Sequence, residues 1–137
     1  MRYWLIRNPF RHQAWGDVIY WNKFRLYGIR CAFSQKQIAT MEIGDKAVFY
    51  DRNHRVINGI LDVSSEPYTD RTKPESSFKA IDFTPVAQIV PPIPYTALKI
   101  HPDFQQCLFF RQPRFTVCEI TEEQYRIILQ MTTDNRT

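Results

Sequence analysis

The sequence predicts an α+β domain in which a curled, barrel-like sheet of about five to seven mixed strands carries short helices on its outside. Three observations lead there. Extended segments outnumber helical ones, and several follow one another with no helix between. The helical segments are few and short. Strands and helices do not alternate in the βαβαβ order that a parallel, doubly wound sheet needs. The chain has 137 residues, 44% of them hydrophobic. That suits one domain over residues 1–137 with its own core, with 132–137 expected as a frayed C-terminal tail.

Each element has a local reason. Tyr3–Arg7, rich in aromatic and branched side chains, reads as a strand that Pro9 ends. Ala14–Ile19 allows a helical turn or two, with Trp15 facing inward. Ser34-Gln35-Lys36-Gln37 has the form of a capping box, and Ile38 and Met41 follow at helical spacing. With Gly44 as a stop, this predicts a helix over 35–42. Lys46–Tyr50 and Val56–Val63 read as paired strands around a turn at Asp51-Arg52-Asn53-His54. Asn58-Gly59 falls inside the second strand, where it predicts a bulge or a close backbone approach.

Glu66–Ser77 is polar and contains proline, hence a loop. Phe78–Val90 is extended, with an interruption at Pro85. Pro91-Pro92-Ile93-Pro94 is unsuited to a sheet interior and is expected to wrap over an edge. Thr96 is expected to cap a short helix through Ile100, and Arg114–Ile120 alternates as a strand. Thr121 and Gln124 form a second capping box, after which Tyr125, Ile128 and Leu129 make the apolar stripe of a closing helix.

The net charge of +4 is unevenly spread. Residues 1–37 carry seven Lys and Arg against one acid, Asp17, whereas the other 100 residues carry 11 basic and 13 acidic groups. Nine of the 20 aromatic residues, including all three tryptophans, lie within residues 1–33. Basic groups interleaved with rings suit phosphate contact and base stacking, which points to nucleic acid as partner. The rings of Trp4 and Trp15 also suit a core.

Other function classes find little support. The apolar stretches are of strand length, short of the ~20 residues of a membrane helix. The N-terminus has no long apolar run of signal-peptide type, so the expected location is the cytoplasm, or the nucleus in a eukaryote. Cys31, Cys107 and Cys118 show no paired spacing, and His12, His54 and His101 are isolated, so neither a disulfide framework nor a metal site is expected. Four glycines cannot build a phosphate-cradling loop, and there is no G-x-S-x-G or H-E-x-x-H. Asp62, Glu66 and Asp82 read as ordinary solvated acids rather than paired catalytic carboxylates. No enzyme activity and no cofactor is expected.

Several motifs occur in a familiar order. Tyr3-Trp4-Leu5, Trp15 with Asp17, and Trp21-x-x-x-Arg25-x-Tyr27-x-x-Arg30 come first. Met41-x-x-Gly44-Asp45-x-x-x-Phe49-Tyr50, Gly59-x-x-Asp62-Val63, Tyr68-x-Asp70 and Arg111-Gln112-Pro113-Arg114-Phe115-Thr116-Val117 follow. The set resembles the EVE domain over nearly the whole chain. The resemblance implies a PUA-like fold, a curved β-barrel with flanking helices similar to YTH and ASCH domains, and a role in reading bases of DNA or RNA, modified ones included. It also allows a nuclease or repair protein as partner. Departures from the family pattern fall where its pocket is expected. The usual Lys-Ser-Glu-Pro is Arg7-Asn8-Pro9-Phe10, the Asn that follows the first Arg is Leu26, and the Ser between the late arginines is Pro113.

The resemblance and the residue types together imply a site. Trp21 and one further ring (Tyr27, Phe49 or Tyr50) would stack on a flipped or single-stranded base, and Asn8 would read its edge. Arg7, Arg25, Arg30, Arg111 and Arg114 would hold phosphates, with Trp15, Asp17 and Gln112 in support. Asp17 suits a turn cap as well, and Arg111 and Arg114 suit structural ion pairs. The alternatives are a PUA-like module binding a nucleotide-like small molecule or a protein partner, and an enzyme on an ASCH-like scaffold, which needs a Lys or carboxylate inside the pocket.

Overall fold

The computed structural model describes residues 1–134. Six of its seven strands form one mixed sheet in the order β2-β6-β4-β3-β1-β7, and β5 pairs with β6. In chain order the elements are β1 (Tyr3–Arg7), α1 (Trp15–Trp21), β2 (Phe24–Leu26), α2 (Ala32–Ala39), β3 (Lys46–Asp51), β4 (Val56–Val63), β5 (Tyr68–Thr69) and β6 (Lys79–Pro94). Then come α3 (Tyr95–Lys99), a 3-10 turn (Pro102–Phe104), α4 (Leu108–Arg111), β7 (Val117–Ile120) and α5 (Glu122–Asp134). β1 runs parallel to β3, and the other pairings are antiparallel. The curled sheet is an open half-barrel with several short helices, as the sequence predicts.

Side-chain alternation explains why both faces are buried. Along β1, Trp4 and Ile6 point to one side and Leu5 to the other; along β3, Phe49 and Tyr50 divide likewise. The concave side packs Trp4, Phe24, Phe49, Leu61 and Phe83 beneath α1 and α2. The convex side packs Leu5, Val48, Tyr50 and Ile57 under α3, α4 and α5. Asn58-Gly59 is both of the things its position predicts. The β4 register shifts there against β3 and β6, and a Cβ on Gly59 would lie 2.3 Å from Trp15 Cζ3. The Trp15 ring therefore rests on bare backbone, which fixes α1 to the sheet.

Four expectations are corrected. The helix expected over 35–42 is α2, which spans Ala32–Ala39 with Cys31 at its N-cap. Ser34 lies buried in its first turn, where Oγ accepts bonds from Thr116 N (3.0 Å) and Val117 N (3.4 Å). A partner 82 residues away in the chain thus claims the hydroxyl that a cap would have used. The proline run stays in the strand: β6 continues to Pro94. Its prolines follow Phe83, the last residue paired with β2, so along that side β6 is an edge and a missing N–H breaks no ladder. Thr96 does not cap α3, whose N-cap is Pro94. β7 begins only at Val117, because Phe115 N bonds back to Gln112 O in a turn (3.0 Å).

The second capping box is present, with Thr121 N to Gln124 Oε1 at 2.9 Å and Gln124 N to Thr121 Oγ1 at 3.0 Å. Ile128 is buried as expected, whereas Leu129 is 40% exposed and off the packed stripe. α5 runs to Asp134, so of the expected frayed tail residues 132–134 are helical and 135–137 lie outside the described residues.

Candidate functional site

The basic, aromatic N-terminal quarter reaches the surface as one strand face. Lys23, Arg25 and Tyr27 alternate around β2, while Phe24 and Leu26 between them point into the core. The three outward side chains line a cavity of about 540 Å³, completed by Asp82 and by Ser65, Tyr68, Asp70, Arg71 and Thr72 from the connection between β4 and β6. The β2–β6 register sets Arg25 directly opposite Asp82.

Asp82 gathers the donors of this cavity. Its carboxylate accepts Tyr68 Oη at 2.6 Å and lies 3.2 Å from Lys23 Nζ and 3.6 Å from Arg25 Nε. Burial, helped by the bond to Asp82, pushes the Tyr68 hydroxyl up to about 12, so it stays a donor. Asp70 is fully buried. Burial alone would raise its pKa, but bonds from Thr72 Oγ1, Gly28 N, Thr72 N and Arg30 prevail and hold it at about 2. Arg30 is thereby fixed, with its guanidinium 4.6 Å over the Phe78 ring. Lys23 and Arg25 are paired with Asp82, and Arg71 adds a third cation to a lining that holds two carboxylates.

Of the two rings at this site, Tyr27 and Tyr68, Tyr27 is the more exposed. It is 40% exposed and leans on Phe10, with centroids 4.7 Å apart and planes at 32°. Phe10 in turn meets the core ring of Phe24 edge-on. On its other side Tyr27 borders a second cavity of about 550 Å³ with Pro9, Phe10, Arg11, His12 and Gln13. It therefore stands as a ridge between two hollows, supported from below and open above.

The other residues singled out from sequence are dispersed. Phe49 is wholly buried between Trp15 and Phe24 and faces no cavity. Tyr50 is 5% exposed, stacked on Tyr95 under the Arg7 guanidinium. Arg7 itself is structural: it lies 4.2 Å over Phe109 and donates to Phe109 O and Phe115 O. Asn8 is fully buried, and its side chain bonds within its own loop: Nδ2 donates to Phe10 O and Gln13 O, and Oδ1 accepts from Phe10 N, which leaves no edge for a base. Trp21 is 69% exposed, packs edge-on against Tyr20 and lines none of the cavities described, so it does not pair with Tyr27 in a cage.

The arginines divide as well. Arg25 lines the cavity and Arg30 braces it through Asp70. Arg111 bonds to Gln106 (2.8 Å), and it, Gln112 and Arg114 are exposed away from the cavity. Trp15 supports from below, on Gly59, and Asp17 caps α1 by accepting from Ala14 N (2.8 Å). Sequence reasoning missed Lys23, Tyr68 and Asp82 as neighbours. The i, i+2, i+4 spacing of Lys23, Arg25 and Tyr27 was the available signal for the first. Nothing local brings the Tyr68 segment to it.

Among the described residues no three His, Cys, Asp or Glu side chains are grouped to hold a metal ion, and no helix is long and apolar enough to cross a membrane.

Comparison of the sequence with curated proteins finds no match. Solved structures of the same shape are numerous. A hypothetical protein from Leishmania major is 22% identical with a TM-score of 0.89, over 100% of this chain and 98% of that one. Human THYN1, solved in complex with 5-methylcytosine containing DNA, is 19% identical with a TM-score of 0.83, over 96% and 98%. The YTH domain of Zygosaccharomyces rouxii MRB1, in complex with N6-methyladenosine RNA, is 13% identical with a TM-score of 0.56, over 96% and 86%. These likenesses establish the shared PUA-like fold. The EVE domain family model matches residues 2–131, and the chain therefore belongs to the EVE domain family.

Proposed function

We propose that this chain reads a base of DNA or RNA, a modified base above all, by stacking it on Tyr27 while Lys23, Arg25 and Arg71 hold the flanking phosphates. The observation that carries the reading is the ridge itself: an exposed ring braced on Phe10, beside three cations on one strand-and-loop surface. The hydroxyl of Tyr68 and the side chain of Asp82 supply polar groups for a base edge. The relatives solved with methylated DNA or RNA support the same reading. The chain acts as a binding module, working in the cytoplasm or nucleus and open to a nuclease or repair protein as partner.

Fluorescence polarisation against short DNA and RNA strands, plain and carrying 5-methylcytosine or N6-methyladenine, tests it. Tyr27→Ala should weaken binding on the order of 5- to 150-fold, the worth of one stacked base. With up to three phosphates neutralised, affinity should fall roughly 20-fold between 50 and 200 mM salt. Equal binding by wild type and a folded Tyr27→Ala, or no binding to any strand, refutes the proposal.

A further inference from the structure

The two hollows that Tyr27 divides differ in charge. On the β2 side Lys23 and Arg25 are spent on Asp82 and Arg30 on Asp70, which leaves Arg71 as the lining cation without an acidic partner. On the other side the wall runs from Pro9 to Gln13 and carries Arg11 and His12 with no carboxylate. Both side chains are exposed, and among the described residues neither makes an ion pair. An unpaired guanidinium thus stands on each flank of one exposed ring. Each hollow, at about 540 and 550 Å³, has the volume of a small-ligand site.

The Pro9–Gln13 wall is held in shape from both sides. Beneath it the buried Asn8 donates from Nδ2 to Phe10 O and Gln13 O and accepts from Phe10 N. Gln13 N closes a turn onto Phe10 O (3.3 Å). Asn53 Nδ2, in the turn between β3 and β4, donates to Arg11 O (2.8 Å). The Arg11 backbone is therefore fastened while its guanidinium is free, so binding an anion there orders one side chain and no loop. Phe10, in the same wall, is the ring that props Tyr27.

We propose that this hollow is a second subsite, for the nucleotide next in the strand to the one stacked on Tyr27, with Arg11 and His12 donating to its phosphate. The subsite rests on the stacking proposed for Tyr27, and it specifies the ligand further. That ligand is an unpaired run of at least two nucleotides crossing the ring, with Arg71 at a phosphate on one side and Arg11 at a phosphate on the other. Neighbouring bases of a duplex stack on each other, and a ring enters between them only where the stack is opened at a cost. A free nucleotide fills one hollow and leaves Arg11 unused.

The test compares three-nucleotide strands, centred on 5-methylcytosine in DNA or N6-methyladenine in RNA, with the matching mononucleotides. Amide shifts of the ¹⁵N-labelled chain should move at Tyr27, Arg11 and His12 with the strands, and at Tyr27 without Arg11 and His12 for the mononucleotides. Arg11→Gln keeps the backbone bond to Asn53. It should weaken strand binding roughly two- to fivefold and leave mononucleotide affinity unchanged. It should also lower the slope of log affinity against log salt by about 0.7, the worth of one phosphate on a single strand. Arg11→Lys should restore that slope, and Lys99→Gln, an exposed charge on α3, should alter neither quantity. If Tyr27→Ala weakens binding while Arg11→Gln changes neither affinity nor slope, the second subsite is refuted and the stack on Tyr27 stands. Lys99→Gln lowering the slope as much as Arg11→Gln refutes the subsite too, since the effect is then one of net charge. So does a duplex with the same modified base binding as tightly as the single strand. If Tyr27→Ala has no effect, or no strand binds, both the stack and the subsite fail.

Discussion

Asp70 offers the sharpest test of how the cavity wall is held. Its carboxyl drops from the ordinary 3.8 to about 2 on folding, because Thr72, Gly28 and Arg30 all donate to the ionised form. At 1.36 kcal/mol per unit, that difference is worth about 2.4 kcal/mol of folding stability. A depressed folded value means the contribution is fully present above pH 4. It disappears as pH falls from about 4 to about 2, where the folded carboxylate itself takes up a proton. For a chain of this length the loss corresponds to roughly 8 °C in Tm. Urea unfolding followed by tryptophan fluorescence, at pH 5 and at pH 2, measures it in wild type and Asp70→Asn. The variant should be about 2 kcal/mol less stable at pH 5, and its stability should fall correspondingly less between the two pH values. Other carboxylates titrate alike in both proteins and cancel in the comparison. Parallel pH profiles for the two, separated by nothing, would show that the four bonds do not favour the charged form and would refute the reasoning.

Other perturbations probe the frame around the site. Gly59→Ala thrusts a methyl group into the Trp15 ring and should destabilise by roughly 1–3 kcal/mol; in a Trp15→Leu background the same change should cost less, a coupling that a double-mutant thermal unfolding cycle reads. Ser34→Ala strands the amides of Thr116 and Val117, so a loss of roughly 1–3 kcal/mol is expected, with faster amide hydrogen exchange at Val117. Arg7→Met keeps the length of the stem but removes its bonds to Phe109 O and Phe115 O and its stack on three rings; a lowered urea midpoint, with oligonucleotide affinity little changed, is the expected pair of results.

Much of the fold is written in short-range signals. The strands at Tyr3–Arg7 and Val56–Val63, the Thr121–Gln124 box and the bulge at Asn58-Gly59 each follow from residues a few positions apart. What is hidden depends on distant partners. Ser34 has the sequence context of an N-cap, yet a strand some eighty residues on takes its hydroxyl. Arg7 and Asn8 have the chemistry of ligand-binding groups, but both are consumed in joining β1 to its neighbours. The ring at the cavity is decided by which side of β2 meets the concave core, and that choice depends on β6. Asp82, an ordinary solvated acid on its sequence alone, becomes the hub of three donors once β5, which carries Tyr68, pairs with β6 beside it.

The gap between the two ends of the curled sheet is bridged by α2 through side chains. Gln35 bonds both ways with the Lys79 backbone on one border, while Ser34 and Gln37 accept from Val117 and Glu119 on the other. The amide groups that β7 would otherwise present outward are thus occupied. A bare strand border recruits further strands from other chains. Here that hazard is removed by a hydroxyl and two carboxamides instead of an extra strand. A consequence is that Ser34, Gln35 and Gln37 guard solubility as well as shape: replacing them together should first reveal itself as self-association at high concentration, before the fold is lost.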